Sequence, residues 1–255
     1  MDVLSAVCTD VGNRKSTNQD SLCLKIADTS VGKVVLAVIC DGMGGLSKGE
    51  VASAIVVHAF SEWFETELSA QLAKEDWDDI QDRWGRLMKE QNQRIADYGK
   101  KIRAQLGTTL TALLLIDSQF LLIGHVGDSR VYRINQQLEI LTEDQTVVGR
   151  EIRSGTLTPE QAKKDPRRNV LLQCIGASKI VEPQFVYGKP VPGEVYLLCS
   201  DGFRHEITED EIFQAFSPQL LTNETVMEQQ VKAMIELNKQ RQEKDNITAV
   251  LIKIL

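Results

Sequence analysis

Hydrophobic positions at the start of the chain fall into short runs. Residues 2–10, 20–27 and 33–40 are β-prone segments separated by polar, glycine-containing turns, and KVVLAVIC (33–40) is apolar enough to be buried on both faces. The period then changes. Over 49–68, Ala52, Val56, Phe60, Phe64 and Leu68 recur every fourth residue with Ser47 as a candidate cap, which predicts an amphipathic helix. A polar stretch holding Asp76, Asp78 and Asp79 leads into a second helical stripe, traced by Trp84, Leu87, Met88, Gln91, Ile95, Tyr98, Ile102 and Leu106. Its aromatic residues read as core packing.

Strand patterns resume at 107–116, 120–126, 130–134 and 138–141, closely spaced and joined by turns. Residues 142–169 are polar and are expected to form a mobile flap, with only TPEQAKK as a short helix, capped by Thr158 and carrying Pro159 at its first position. Strands are expected again at 170–175, 184–188 and 194–199, helices near 209–216 and 224–241, and a last strand in ITAVLIKI (247–254). Clusters of strands broken by helix pairs do not read as the alternating order of a parallel sheet. They predict an α+β fold of antiparallel sheets covered by helices, in a single domain spanning 1–255. The first and last segments both read as core strands, so neither end resembles a detachable tail.

Composition narrows the function. With 255 residues and 42% hydrophobic content the chain can bury a substantial core. Lys and Arg number 29 against 36 Asp and Glu, a net charge of −7, which argues against nucleic acid or an anionic membrane as partner. No apolar run approaches the roughly 20 residues of a membrane span, and the first residues lack the order of a secretory signal, so a cytoplasmic location is expected. The five cysteines form no C-x-x-C pair and mostly lie in apolar runs, which predicts buried free thiols.

Four aspartates stand where an apolar strand meets a turn: Asp41, Asp128, Asp201 and Asp245. Asp20 opens the second strand in a similar way. Any one of them reads as a turn or cap residue; together they suggest carboxylates gathered at one sheet edge. There, like charges about 4 Å apart repel by about 4 kcal/mol at an effective dielectric near 20, and bound cations relieve that cost. The candidate ligands are hard oxygens, with the Gly42 carbonyl available and no His or Cys cluster of zinc spacing, so Mg²⁺ or Mn²⁺ fits best. Two such ions lower the pKa of a water between them, and the implied chemistry is phosphoryl hydrolysis.

Two other phosphate motifs fail on inspection. Gly44 and Gly49 have the spacing of a nucleotide-binding loop, but Glu50 stands where its lysine is required. Cys8 and Arg14 have the spacing of a cysteine-based phosphatase, yet a polar turn and a β run follow, not the helix whose dipole would activate the thiol.

The segments NQD (18–20), DGMGGLSKGEVAS (41–53), GTTL (107–110), GDSRVYRI (127–134), LTEDQ (141–145), CSDGF (199–203) and DNIT (245–248) occur in an order that resembles the metal-dependent serine/threonine protein phosphatases of type 2C, the PPM family, and its short bacterial members. The resemblance implies a central sandwich of two antiparallel sheets with helices on both outer faces. It implies that Asp41 bridges two metals, the Gly42 carbonyl holds the first, and Asp201 and Asp245 hold the second. Asp20 would act directly or through water, and Asp128, with Asp201, would hold a third, weaker metal. The implied activity is hydrolysis of phosphoserine and phosphothreonine by water or hydroxide activated at the dinuclear centre. Phosphorylated proteins modified by Ser/Thr kinases would be the partners, and a monomer is the default.

Departures from the family pattern are equally specific. The usual phosphate-gripping arginine is replaced by Lys15, with Arg14 beside it. In an extended segment the two would point to opposite faces, and the alignment favours Lys15 as the catalytic phosphate binder. Lysine offers a point charge where arginine offers a bidentate fork. Met43 occupies a position where many relatives carry a histidine, Gln145 replaces a histidine and Gln173 an arginine. His58, His125 and His205 are read as structural. A catalytically weak relative that only binds phosphoproteins is the alternative.

Overall fold

The structure, a computed structural model, describes residues 1–43, 48–74 and 76–255. The chain opens with β1 (Val3–Asp10), β2 (Asp20–Thr29) and β3 (Gly32–Asp41), then helices α1 (Gly49–Thr66), α2 (Leu68–Leu72) and α3 (Trp77–Ile102). Strands β4 (Leu110–Ile116), β5 (Phe120–Val126), β6 (Arg130–Ile134) and β7 (Leu138–Ile140) follow, with α4 (Val147–Arg153) and α5 (Pro159–Lys164). The remainder is β8 (Gln184–Gly188), β9 (Val195–Cys199), α6 (Asp201–Arg204), α7 (Glu209–Phe216), α8 (Glu224–Gln240) and β10 (Ile247–Ile254).

The strands form two five-stranded antiparallel sheets, in the orders β1-β10-β9-β6-β7 and β2-β3-β4-β5-β8. Strand alternation builds the layers. In β3, Val35, Ala37 and Ile39 face the other sheet and meet Tyr196, Leu198 and Val250, whereas Val34, Leu36, Val38 and Cys40 face the helices and join Phe60, Trp63 and Trp84. The outer face of the first sheet, with Leu197, Ala249 and Leu251, packs on Phe203, Phe216 and Val231. The result is helices, sheet, sheet, helices: the α+β sandwich expected. Trp84 meets Phe60 and Trp63 edge-on at centroid distances of 5.2 and 5.4 Å, so the aromatic stripe is core, each such ring contributing roughly 1.5–3 kcal/mol by burial.

Several expectations are corrected. The first helix ends at Thr66, and α2 is a separate turn of helix. The proposed Ser47 cap lies outside the described residues. The second long helix starts seven residues before Trp84, because the Asp76 carboxylate accepts from the backbone N–H of Asp78 and Asp79 and caps it. Residues 142–169 hold α4 as well as the expected α5, which has the Thr158 cap and Pro159 in place. Residues 170–175 do not form a strand: Leu171 and Ile175 make isolated bridges, while Val170 and Leu172 are exposed. Cys40, Cys174 and Cys199 are buried free thiols, but Cys8 and Cys23 are only half-buried.

Candidate active site

Antiparallel pairing carries the starts and ends of alternate strands to one edge of the sandwich. Asp20, opening β2, lies opposite Asp41, closing β3. Val126, closing β5, lies opposite Leu110, opening β4. Cys199, closing β9, faces Arg130 at the start of β6 and Ala249 near the start of β10. The residues just beyond these ends, Gly42, Asp128, Asp201 and Asp245, therefore share that edge.

Short polar contacts stitch the two sheets together there. Ser200 Oγ donates to Asp20 Oδ2 at 3.0 Å, the Gln19 N–H donates to Asn246 Oδ1 at 2.9 Å, and the Thr109 and Ser129 hydroxyls are 3.0 Å apart. The GTTL segment fixes Asp41 by its backbone. Thr109 N–H and Thr108 Oγ1 both donate to the Asp41 carbonyl at 2.9 Å, and the Asp41 N–H donates to Thr109 Oγ1 at 2.9 Å. Gly42 and Gly202 are required by close approach: a Cβ on the first would strike the backbone of Gly49 and Gln19, and on the second the carbonyl of Asn246.

A cleft of about 570 Å³ opens over this edge, lined on one side by Lys15, Asp41, Asp128, Asp201 and Asp245. Asp20, Asp128 and Asp201 are each less than a tenth exposed. Burial, with the fields of Asp20, Asp201, Asp128 and Asp245 added, pushes Asp41 well above the ordinary carboxylate range. Asp20 is raised to about 7, burial and the neighbouring Asp201 and Asp245 outweighing hydrogen bonds from Thr248 and Ser200. Asp128 is raised to about 7 by burial and by Asp201, against the opposing charge of Arg204. Asp20 Oδ1 and Asp201 Oδ1 are buried without a hydrogen-bond partner. Such oxygens cost free energy unless a cation or donor completes them.

The two candidate phosphate-binding cations separate cleanly. Lys15 is half-buried, lines the cleft, and places Nζ 2.8 Å from Asp245 Oδ1. Burial opposes its charge, but the bond to Asp245 and the fields of Asp41 and Asp201 raise its pKa overall. Arg14 is exposed and lies outside the lining of the cleft. The divergence comes from a turn at 12–14, not from the alternation of an extended segment. Asn246 holds this loop by donating Nδ2 to the carbonyls of Val11 and Thr17.

Behind the cleft stands a second, compensated cluster that sequence reading missed. Arg130 grips Asp144 through two bonds of 2.8 and 2.9 Å, and Arg204 Nη2 lies 3.3 Å from Asp144 Oδ2 and donates to the Asp128 carbonyl at 2.9 Å. Burial alone would raise Asp144, but the two guanidinium groups bring it down to about 2. The only sequence signal was the quoted LTEDQ and GDSR motifs.

His205 bridges Asp201 Oδ2 (3.4 Å) and Glu243 Oε2 (3.5 Å), while Glu243 Oε1 accepts the N–H of Asp245 at 2.8 Å. It thus ties together the segments bearing two of the cleft aspartates. His125 is a buried structural residue between Thr111 and the carbonyls of Gly127 and Glu143, lowered to about 4 by burial. His58 is exposed on α1 near Glu62, which corrects its reading as structural. Gln173 Nε2 donates to Gln145 Oε1 at 2.9 Å, and Gln145 Oε1 also accepts the Gly127 N–H, so the two departures from the family pattern pair with each other. Cys8 sits within β1 and burial raises its thiol pKa, the opposite of an activated nucleophile.

The family model described as protein phosphatase 2C matches residues 12–251, and the chain belongs to that family. The serine/threonine phosphatase stp of Listeria monocytogenes is 32% identical over 222 residues, covering 86% of this chain and 84% of its own. The solved serine/threonine phosphatase of S. agalactiae superposes with a TM-score of 0.85 at 29% identity over 100% of both chains. The catalytic domain of PstP in complex with two manganese ions superposes with a TM-score of 0.79 at 28% identity, over 98% of this chain and 97% of that one.

Phosphatases of this family use two manganese or magnesium ions, and the edge described here fits them. Its donors are hard oxygens, two of them buried and orphaned, and its carboxylates repel one another. Among the described residues, no three Asp, Glu, His or Cys side chains close on one point as a finished ligand set. Asp245 is turned to Lys15, and backbone carbonyl and water belong to such sites as much as carboxylates do.

Proposed function

We propose that the chain removes the phosphoryl group from phosphoserine and phosphothreonine side chains of proteins, with two divalent ions. Asp41 and the Gly42 carbonyl would hold the first, and Asp41, Asp201 and Asp245 the second. Asp20 acts directly or through water, and Asp128 with Asp201 serves a third, weaker site. When bound, the ions supply positive charge to the phosphate and acidify water to give a nucleophile near neutral pH.

The chain's own residues do the remainder. Lys15 Nζ binds phosphate oxygens as a point charge at the lip of the cleft, while Arg14 stays in solvent. Thr108 and Thr109 hold the Asp41 backbone, and Ser200 holds Asp20, so that the carboxylates keep their spacing. Met43 lines the cleft without a proton to give, so the leaving oxygen draws its proton from water. We also take residues 1–255 as one catalytic domain with 142–169 as its flap. Its partners are proteins phosphorylated by Ser/Thr kinases, not nucleic acid or membrane, and it works as a cytoplasmic monomer. Among the described residues no helix is long and apolar enough to cross a membrane.

The observation that carries this reading is the cleft lined by Asp41, Asp128, Asp201 and Asp245 from both sheets, with Asp20 in the field of Asp201 and Asp245 and with two orphaned oxygens, on Asp20 and Asp201. Its test is a Mn²⁺ titration of hydrolysis with an aryl phosphate and a phosphopeptide. Turnover that appears with Mn²⁺, stops in EDTA and is lost in Asp41→Asn supports the reading. Phosphopeptide bound but never consumed would favour the binding-only alternative. Inactivation by Cys8→Ser with indifference to EDTA would replace it with a thiolate enzyme.

A further inference from the structure

We infer that the chain carries a second substrate pocket beside the catalytic cleft, which takes an acidic stretch of the phosphoprotein within about six residues of the phosphorylated side chain. This rests on the phosphoprotein reading above and adds a charge preference to it.

A cavity of about 310 Å³ lies at the C-terminal end of α3, and Gln105 and Ala177 line both it and the catalytic cleft. Its floor is apolar, with Ile95, Ala96 and Leu106, and its rim carries Lys100 and Arg103. Both cations are exposed. In a chain of net charge −7, a cationic rim one residue away from an acidic cleft is a local inversion.

The dipole of α3 accounts for basic residues in its last turn, Lys100 and Lys101. The same field favours Arg103, the C-cap residue, which stands in the left-handed region at φ 55°, its backbone N–H spent on the carbonyls of Gly99 and Lys100. Among the described residues the Arg103 side chain has no hydrogen bond or ion pair, whereas Lys100 is shared with Asp97. An exposed, unpaired guanidinium over an apolar pocket is suited to a carboxylate on a short apolar stem, such as a glutamate of a bound peptide.

The distance to the chemistry is set by the chain itself. The stretch from Arg103 to Thr109 leads directly from the rim to the hydroxyl and N–H that hold Asp41. Six residue steps reach at most about 20 Å, which an extended peptide spans in about six residues. A peptide whose phosphoryl group sits over Asp41 is therefore long enough to reach the pocket, whose lining shares Gln105 and Ala177 with the cleft.

The experiment uses the Mn²⁺-loaded full chain at low ionic strength. Three phosphoserine peptides carry Glu, Ala or Lys at the flanking positions, and p-nitrophenyl phosphate serves as the substrate without flanks. The glutamate peptide is expected to exceed the lysine peptide about fivefold in kcat/KM, through KM, with the gap closing as salt is added. Arg103→Glu should reverse that order while leaving p-nitrophenyl phosphate turnover unchanged. Ala96→Phe, which fills the pocket, should erase it. Equal rates for the three peptides, or a preference that survives both substitutions, overturns the pocket and leaves the phosphatase intact. Peptides untouched by an enzyme that cleaves p-nitrophenyl phosphate overturn the phosphoprotein reading itself, and the pocket with it.

Discussion

One aspartate, Asp144, and a cluster of aspartates lie side by side in this molecule, and their charges are handled in opposite ways. Asp144 is enclosed by Arg130 and Arg204 and brought down to about 2, whereas Asp20 and Asp128 are raised to about 7 and burial with the neighbouring carboxylates pushes Asp41 well above the ordinary carboxylate range. Burial acts on all of them in the same direction. What differs is the compensation: the chain supplies its own guanidinium groups to Asp144, whereas Asp20 Oδ1 and Asp201 Oδ1 are left without a hydrogen-bond partner. Arg204 stands at the border, bonded to the Asp128 carbonyl and 4.0 Å from its carboxylate. The placement of two arginines thus sets the paired acid, Asp144, apart from the aspartates that line the cleft.

Substitutions at each side should break that contrast in different currencies. Asp41→Asn should lower kcat by at least about 100-fold. The thermal midpoint of the EDTA-treated variant should meanwhile hold or rise, because a repulsion is removed. Asp144→Asn should do the reverse and cost about 3 kcal/mol in a urea titration by leaving two inner guanidinium groups uncompensated.

The pH dependence of stability sharpens the same division. Asp20 and Asp128 have folded values near 7 against an unfolded value of 3.8, so between these the folded chain holds more protons and stability falls as pH rises. Asp144, depressed to about 2, contributes fully above 3.8 and is lost as pH falls toward 2. The EDTA-treated chain should therefore be less stable at pH 7 than at pH 5 by calorimetry, and Mn²⁺ should raise the midpoint more at the higher pH.

Smaller effects are expected further out. Glu243→Gln, which loosens the tie between His205 and the Asp245 N–H, should weaken Mn²⁺ binding about tenfold in titration calorimetry. Lys15→Arg should lower KM for a phosphopeptide about threefold by offering a fork in place of a point charge, and Lys15→Ala should raise it.

The aspartates were legible in the sequence because each follows or precedes a strand with a clear apolar run, and the eye needs no distant information to place a strand end. Their company was not. Asp144 and Arg204 are 60 positions apart, and nothing local in either segment announces the other. α4 escaped notice because seven residues with only Val148 and Gly149 buried carry no repeated period. The apolar residues of 170–175 imitate a strand, but only isolated bridges form there, and Val170 and Leu172 are left in solvent. α6 is a single turn, too short for any periodicity, yet it sets the direction of Asp201.

Ser200 and Asp20 lie on different layers of the sandwich, and the bond between them registers how one layer is seated on the other. Turnover then depends on the fit between two layers whose inner faces share one buried core. Hydrostatic pressure or dilute urea that lets the layers slide should extinguish the enzyme while every strand is still intact.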